Sequence, residues 1–164
     1  MTIHDYIFRE YDIRGEVERD FPPDVVTLLG KGSGTYFRSR GAQRIALSGD
    51  VRKSTPGLKS AFARGLLSTG IDVVDLGTIT TPMNYFSLYH LPVDGSVQIT
   101  GSHNPPAFNG FKLSLKKGEP VYGDAIQSIR RIIKEGTFAE GSGRSETADI
   151  YEAYQSMLQS KIKL

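Results

Sequence analysis

Arg44-Ile45-Ala46-Leu47-Ser48, closed by Gly49-Asp50, is the stretch on which the fold is decided. A short apolar run stopped by Gly-Asp has the length and ending of a buried strand. The next segment is helical. Ser54 or Thr55 is placed to cap a helix with Pro56 in its first turn, where a missing N–H costs nothing. Leu58, Phe62 and Leu66 then share one face, and Gly70 suits the left-handed residue that ends such a helix. Ile71 to Leu76 is a second strand, and Thr81-Pro82 repeats the cap-and-proline signature ahead of Met83, Phe86 and Tyr89 or His90. Gly95 or Val97 to Ile99 is a third strand and Phe111 to Leu115 a fourth. Gly123 or Asp124 opens a helix carrying Ile126, Ile129 and Ile133, with Gly136 beyond its end.

Strands separated by single helices imply parallel pairing through right-handed crossovers. Only Thr100 to Gly110 joins the third strand to the fourth, and Pro105-Pro106 lies within it, so that segment has no room for a crossover helix. The fourth strand is therefore expected antiparallel. The prediction is a three-layer α/β/α fold on a mixed four-stranded sheet in the order 2-1-3-4.

Outside this unit, Pro22-Pro23 starts a helix through Val25, Val26, Leu28 and Leu29 to Tyr36 and Phe37. Its centre holds Gly30, Gly32 and Gly34, each costing about 1 kcal/mol relative to alanine, so its continuity is in question. Thr137 to Thr147 lacks periodicity and reads as loop. Asp149 caps a last helix with Ile150, Tyr154, Met157 and Leu158.

With 164 residues the chain has the length of one domain. Lys plus Arg number 20 and Asp plus Glu 18, a net +2 that is too small for a general nucleic-acid binder. The absence of cysteine excludes disulfides, thiolate catalysis and cysteine zinc sites. No apolar run reaches the roughly 18 residues of a membrane span, and the N-terminus has no signal pattern, so a cytoplasmic protein without nucleic-acid or membrane partners is expected.

Chemistry concentrates in Thr100-Gly101-Ser102-His103-Asn104-Pro105-Pro106 and in Asn109-Gly110-Phe111-Lys112 just beyond. This segment leaves a buried strand at the carboxyl edge of the sheet, where open α/β folds bind ligands. Gly101 allows close approach of the backbone to a ligand and the prolines stiffen the exit, so Ser102 is a presented hydroxyl; the plainer reading is a polar turn. Gly49 to Ser54 (GDVRKS) ends the first strand beside it. Arg52 is within reach of a phosphate there and the helix start near Thr55 favours anions, the alternative being a capping loop with a solvated arginine. In Phe8 to Gly15 (FREYDIRG), Arg14 is either a planar phosphate clamp or part of an arm with surface ion pairs. Other patterns fail. Gly30 to Gly34 is neither a dinucleotide fingerprint nor a Walker loop, and Ser102 is not in a GxSxG elbow. His4, His90 and His103 lack zincin spacing, and His90 reads as a packing residue.

TGSHNPPAFNGFK resembles the active-serine loop of the α-D-phosphohexomutase superfamily, whose members include phosphoglucomutase and phosphomannomutase. FREYDIRG resembles that family's N-terminal motif and GDVRKS the Asp-x-Arg-x-Ser part of its Gly-x-Asp-x-Arg-x-Ser loop, the three in family order. Gly101 before the serine is similar to the phosphomannomutase/phosphoglucomutase branch. The resemblance implies the first domain of a four-domain enzyme: residues 1–148 as the α/β/α domain I, and 149–164 as a helix and the start of a linker to a second domain.

The resemblance further implies that Ser102 is phosphorylated and exchanges its phosphoryl group with a hexose phosphate through a hexose 1,6-bisphosphate intermediate. Lys112 and Arg14 match family positions beside the serine, Lys112 in proton transfer or phosphate stabilisation. His103 and Asn104 orient the loop, and Arg52 and Tyr11 are further phosphate or substrate contacts. The phosphate on Ser102 would be one ligand of Mg2+, whose Asp-Gly-Asp-x-Asp-Arg loop lies in the family's second domain. The fragment alone is expected to be inactive as a mutase. A stand-alone phosphosugar-binding module without turnover is the alternative.

Overall fold

Side-chain alternation decides the layers in the computed structural model, which describes residues 3–162. In β2 (Arg44–Gly49), Ile45 and Leu47 enter one apolar cluster and Ala46 the other. In β3 (Asp72–Thr78), Val73 joins the first cluster, and Val74 and Leu76 the second. Period-two segregation of this kind places the sheet in the middle. After the single-turn α1 (Val17–Asp20), the first face is covered by α2 (Pro23–Ser39), α3 (Thr55–Ser68) and α5 (Asp124–Glu135). The second is covered by α4 (Thr81–His90), through Met83 and Leu88, and by α6 (Tyr151–Lys161), through Tyr154 and the Ile150 that precedes the helix. On the first face Phe111 lies stacked on Phe62, centroids 4.8 Å apart, and edge-on to Phe21 at 5.4 Å.

The expected four-stranded sheet is corrected. Six strands are present, adding β1 (Ile13–Glu16), β4 (Gly95–Ile99), β5 (Phe108–Leu115) and β6 (Ser145–Thr147) to β2 and β3, in the order β1-β5-β4-β2-β3-β6. The sheet is mixed: β2 is parallel to β3 and β4, and β5 is antiparallel to β4. The two unanticipated strands lie at the edges. β1 pairs antiparallel with β5, Arg14 opposite Gly110, and carries a buried arginine where an apolar alternation would be sought. β6 pairs parallel with β3 and is exposed and polar throughout, held by backbone hydrogen bonds and not by burial.

α2 is continuous through all three glycines. They are contact surface: a Cβ on Gly30 would lie 2.9 Å from the Cα of Gly65, and one on Gly32 2.5 Å from Ile133 Cγ1. The backbones of α2 and α3 meet where both lack side chains, so the propensity loss is offset by close packing. Gly70 and Gly136 have φ of 85° and 66° at their helix ends, as expected of left-handed caps. Two local expectations are corrected. Neither Ser54 nor Thr55 caps α3 through its side chain, both hydroxyls being engaged elsewhere. His90 is exposed, stacked on Phe86 at 5.0 Å and not packed in the core.

Candidate active site

Because β2 lies between β3 and β4, the loops leaving the carboxyl ends of β2 and β4 diverge at a topological switch point. The Asp50 N–H donates to Ile99 O at 2.9 Å, so the two loops start in contact. The serine loop then makes two tight turns, closed by Asn104 N to Gly101 O and Phe108 N to Pro105 O, each 3.0 Å. Ser102 is the second residue of the first turn and has φ of 52°. A side-chain-bearing residue held there costs about 1–3 kcal/mol, a strain that persists only where the surroundings over-determine it. The turn presents Ser102 and His103 to solvent. Val17, Val51 and Pro106 help line an open groove of about 820 Å³ in which Ser102 stands.

Arg52 lies behind this turn. Its Nη1 donates to Pro105 O at 2.7 Å and Phe108 O at 3.0 Å, and its Nη2 to Asn104 O at 2.6 Å and Ser102 O at 3.1 Å. Its Nε is 3.2 Å from Asp50 Oδ2. Asp50 in turn accepts from Thr55 Oγ1 at 2.6 Å, from Arg52 N at 3.0 Å and from Gly101 N at 3.1 Å. Burial opposes ionisation of Asp50, but hydrogen bonds from Thr55, Arg52 N, Thr100 and Gly101 N outweigh it and hold the carboxyl below its ordinary 3.8. The anion at the start of α3 is thus the chain's own carboxylate. Buried Asn109 ties the loop exit to the same helix start, donating to Ser54 Oγ at 2.9 Å and Thr55 Oγ1 at 3.1 Å.

On the other side stands a second cationic group. Arg14, 5% exposed, donates through Nη1 to Gly101 O at 2.7 Å and through Nη2 to Asp12 Oδ2 at 2.5 Å. Lys112 Nζ is 3.4 Å from the same Asp12 oxygen. Arg14 and Lys112 come together because Arg14 lies opposite Gly110, two residues before Lys112 on the same face of β5.

The sequence-derived candidates therefore separate. Ser102, Arg14 and Arg52 meet at the serine loop, and Lys112 is coupled to Arg14 through Asp12. Asn104 contributes its carbonyl to Arg52. His103 lies beside Ser102, Nδ1 to Oγ 3.5 Å, with no carboxylate on its ring among the described residues, so no hydrolase triad is formed. Tyr11 is exposed and stacks with Tyr122 at 6.4 Å. Asp12, Asp50 and Asn109 are site residues that sequence reasoning misses. The available signal is the repetition of Asp-x-Arg at Asp12-Ile13-Arg14 and Asp50-Val51-Arg52. Among the described residues no group of three or more His, Asp or Glu side chains is placed to hold a metal ion, so the residues present do not fit a magnesium cage.

The fold and this loop pair define an α/β/α domain that presents a serine at the switch point between two cationic groups. The family described as phosphoglucomutase/phosphomannomutase, alpha/beta/alpha domain I, matches residues 5–140. The chain is 39% identical over 160 residues to a phosphoglucomutase from Neisseria gonorrhoeae, covering 96% of this chain and 35% of the relative. It is 39% identical over 132 residues to a phosphomannomutase from Escherichia coli, covering 80% and 28% respectively. A solved phosphoglucomutase/phosphomannomutase family protein from Burkholderia thailandensis superposes with a TM-score of 0.93 at 37% identity, over 99% of this chain and 37% of that one. The chain belongs to the phosphoglucomutase/phosphomannomutase family and corresponds to its domain I. It spans about a third of the length of these relatives. Among the described residues no helix is long and apolar enough to cross a membrane.

Proposed function

We propose that residues 1–148 are the phosphoserine-bearing domain of a hexose-phosphate mutase, with 149–164 leading to the next domain. Ser102 Oγ is the phosphoryl carrier. In the forward step a hydroxyl oxygen of the hexose phosphate bonds to phosphorus as the Oγ–P bond breaks. The hydroxyl proton passes to a base, and the departing serine oxygen is reprotonated. The resulting hexose 1,6-bisphosphate turns over and returns its other phosphate to Ser102 by the reverse of this step.

The observation that carries this reading is Ser102 held at a positive φ on a turn whose first carbonyl, Gly101 O, is gripped by Arg14. A phosphoserine bears about −1.5 to −2 charges, and transfer requires nearby cations to spread them. Arg14 spends two N–H groups inside the chain, one on Gly101 O and one on Asp12, and its planar fork suits phosphate oxygens. Lys112, held on the same carboxylate, adds a compact charge and serves proton transfer or phosphate stabilisation. The remaining Mg2+ ligands and the sugar-reading groups are assigned to other domains of the parent enzyme, so the fragment alone is expected to carry no mutase turnover.

Incubation of the parent enzyme with radiolabelled hexose 1,6-bisphosphate is expected to label Ser102, and Ser102→Ala to abolish the label. Labelling unaffected by that substitution would reject the carrier assignment. Saturable sugar-phosphate binding without any labelling would favour a binding module instead.

A further inference from the structure

We infer that Arg52, seated on Asp50, is a positioning residue that holds the Ser102 turn in shape, and is not a ligand of the substrate's phosphate. The role in transfer rests on the reading of Ser102 as phosphoryl carrier; the clamp itself does not.

A guanidinium has five N–H donors and no acceptor. In Arg52 the four Nη donors are directed at the carbonyls of Ser102, Asn104, Pro105 and Phe108, and Nε faces Asp50. None is left for a phosphate unless the turn opens. Four of the loop's carbonyl oxygens thus converge on one cation, which fixes the path of the turn from its inner side. Gly101 is required by this arrangement. A Cβ there would lie 2.7 Å from Arg52 Nη1, so the glycine makes room for the arginine, not for a ligand as its sequence context suggests. Asp50 completes the clamp by fixing both ends: it accepts from the backbone N–H of Arg52 and from that of Gly101. The strained Ser102 backbone is thereby over-determined from inside. Lysine cannot substitute, because three donors on a point charge do not reach four carbonyls in a plane.

Two measurements decide this, the first on this chain and the second on the parent enzyme that contains it. The first is amide hydrogen exchange of wild type, Arg52→Ala, Arg52→Lys and Gly101→Ala. The last keeps the arginine but occupies its seat. In all three variants the Asn104 and Phe108 amides are expected to exchange about tenfold faster or more, with Ile45 and Val97 unchanged as a check on the fold. Unchanged protection at Asn104 and Phe108 in Arg52→Ala or Gly101→Ala overturns the clamp.

The second is the rate of Ser102 labelling by hexose 1,6-bisphosphate. Arg52→Ala is expected to lower the maximal rate about a hundredfold at unchanged half-saturating concentration, and Arg52→Lys not to restore it. A raised half-saturating concentration at an unchanged maximal rate would make Arg52 a phosphate ligand and equally overturn the inference. If wild type takes up no label, the carrier reading of Ser102 fails, while the exchange rates still decide whether Arg52 holds the turn.

Discussion

Two tripeptides of identical pattern flank the serine, Asp12-Ile13-Arg14 and Asp50-Val51-Arg52, and the fold uses them in opposite ways. Arg52 turns all four Nη donors onto loop carbonyls. Arg14 gives one bond to Gly101 O and one to its own aspartate, and its strand position puts it on Lys112's side of the sheet. One pair therefore shapes the loop and the other supplies charge to it. The lesson is that an arginine beside a phosphoryl site is a ligand only if its donors are not already satisfied, which residue type and spacing do not reveal.

The comparison breaks most visibly at the acids. Asp12 is 8% exposed and is shared by two cations, so Asp12→Ala leaves Arg14 and Lys112 in proximity without their counter-charge. Removing one partner of such a buried pair costs about 3–5 kcal/mol, to be read from chemical denaturation. A loss below about 1 kcal/mol would mean that the pair is solvated and that charge supply and loop shaping are not distinct. Asp50→Ala is the milder change. It unseats Arg52 and frees Gly101 N–H, with an expected cost of about 1–3 kcal/mol and faster exchange concentrated in the serine loop. Equal exchange at Ile45 and in the loop would show that Asp50 supports the sheet, not the turn.

Gly30→Ala tests the scaffold that carries both pairs. Overpacking against Phe62 and Gly65 costs about 1–3 kcal/mol. The gain in helix propensity of about 1 kcal/mol leaves a net loss of about 1 kcal/mol, seen as a lower Tm. A higher Tm would mean that α2 and α3 separate freely.

The smallest effect concerns a third acid, remote from the comparison. Asp20 accepts from Arg19 Nε at 3.0 Å, Glu16 N at 2.8 Å, His4 Nδ1 at 3.1 Å and the Tyr6 hydroxyl, tying the N-terminal arm down. Burial disfavours its charge, yet these bonds outweigh burial and hold the carboxyl well below the usual carboxylate range. With the folded value depressed, the stabilisation is fully present above the unfolded value of 3.8 and is lost as pH falls below it through the folded value. Asp20→Asn should therefore flatten the stability-against-pH curve below about pH 4 while leaving the Arg52 loop unchanged. An unchanged acid limb would show that the unfolded chain retains the same contacts.

Much of the architecture was legible because strands β2 to β5 bury apolar side chains, the helices between them carry a proline in their first turn, and Gly70 follows the end of α3. β1 and β6 escaped because neither shows an alternating apolar pattern: β1 buries Ile13 beside Arg14 and Gly15, and β6 is exposed, joined by backbone bonds and by the ion pair of Glu146 with Arg44. The break suspected at Gly30 to Gly34 is a contact surface, since helix propensity is a local quantity and the compensation comes from α3 and α5. At the site, Ser102, Arg14 and Lys112 were legible as residue types in a recurring motif. Asp12, Asp50 and Asn109 were not, because each acts on a partner more than 50 positions away.

The order of residues is enough to show a serine loop after a buried strand, the alternation of strands and helices, and membership of the phosphoglucomutase/phosphomannomutase family. Periodicity, turn residues and motif order are properties of neighbouring positions. Only the fold shows which arginine spends all four of its Nη donors on loop carbonyls and which gives just one to a carbonyl and one to an aspartate. Hydrogen-bond donors are finite, and only their positions in space show where each has been used.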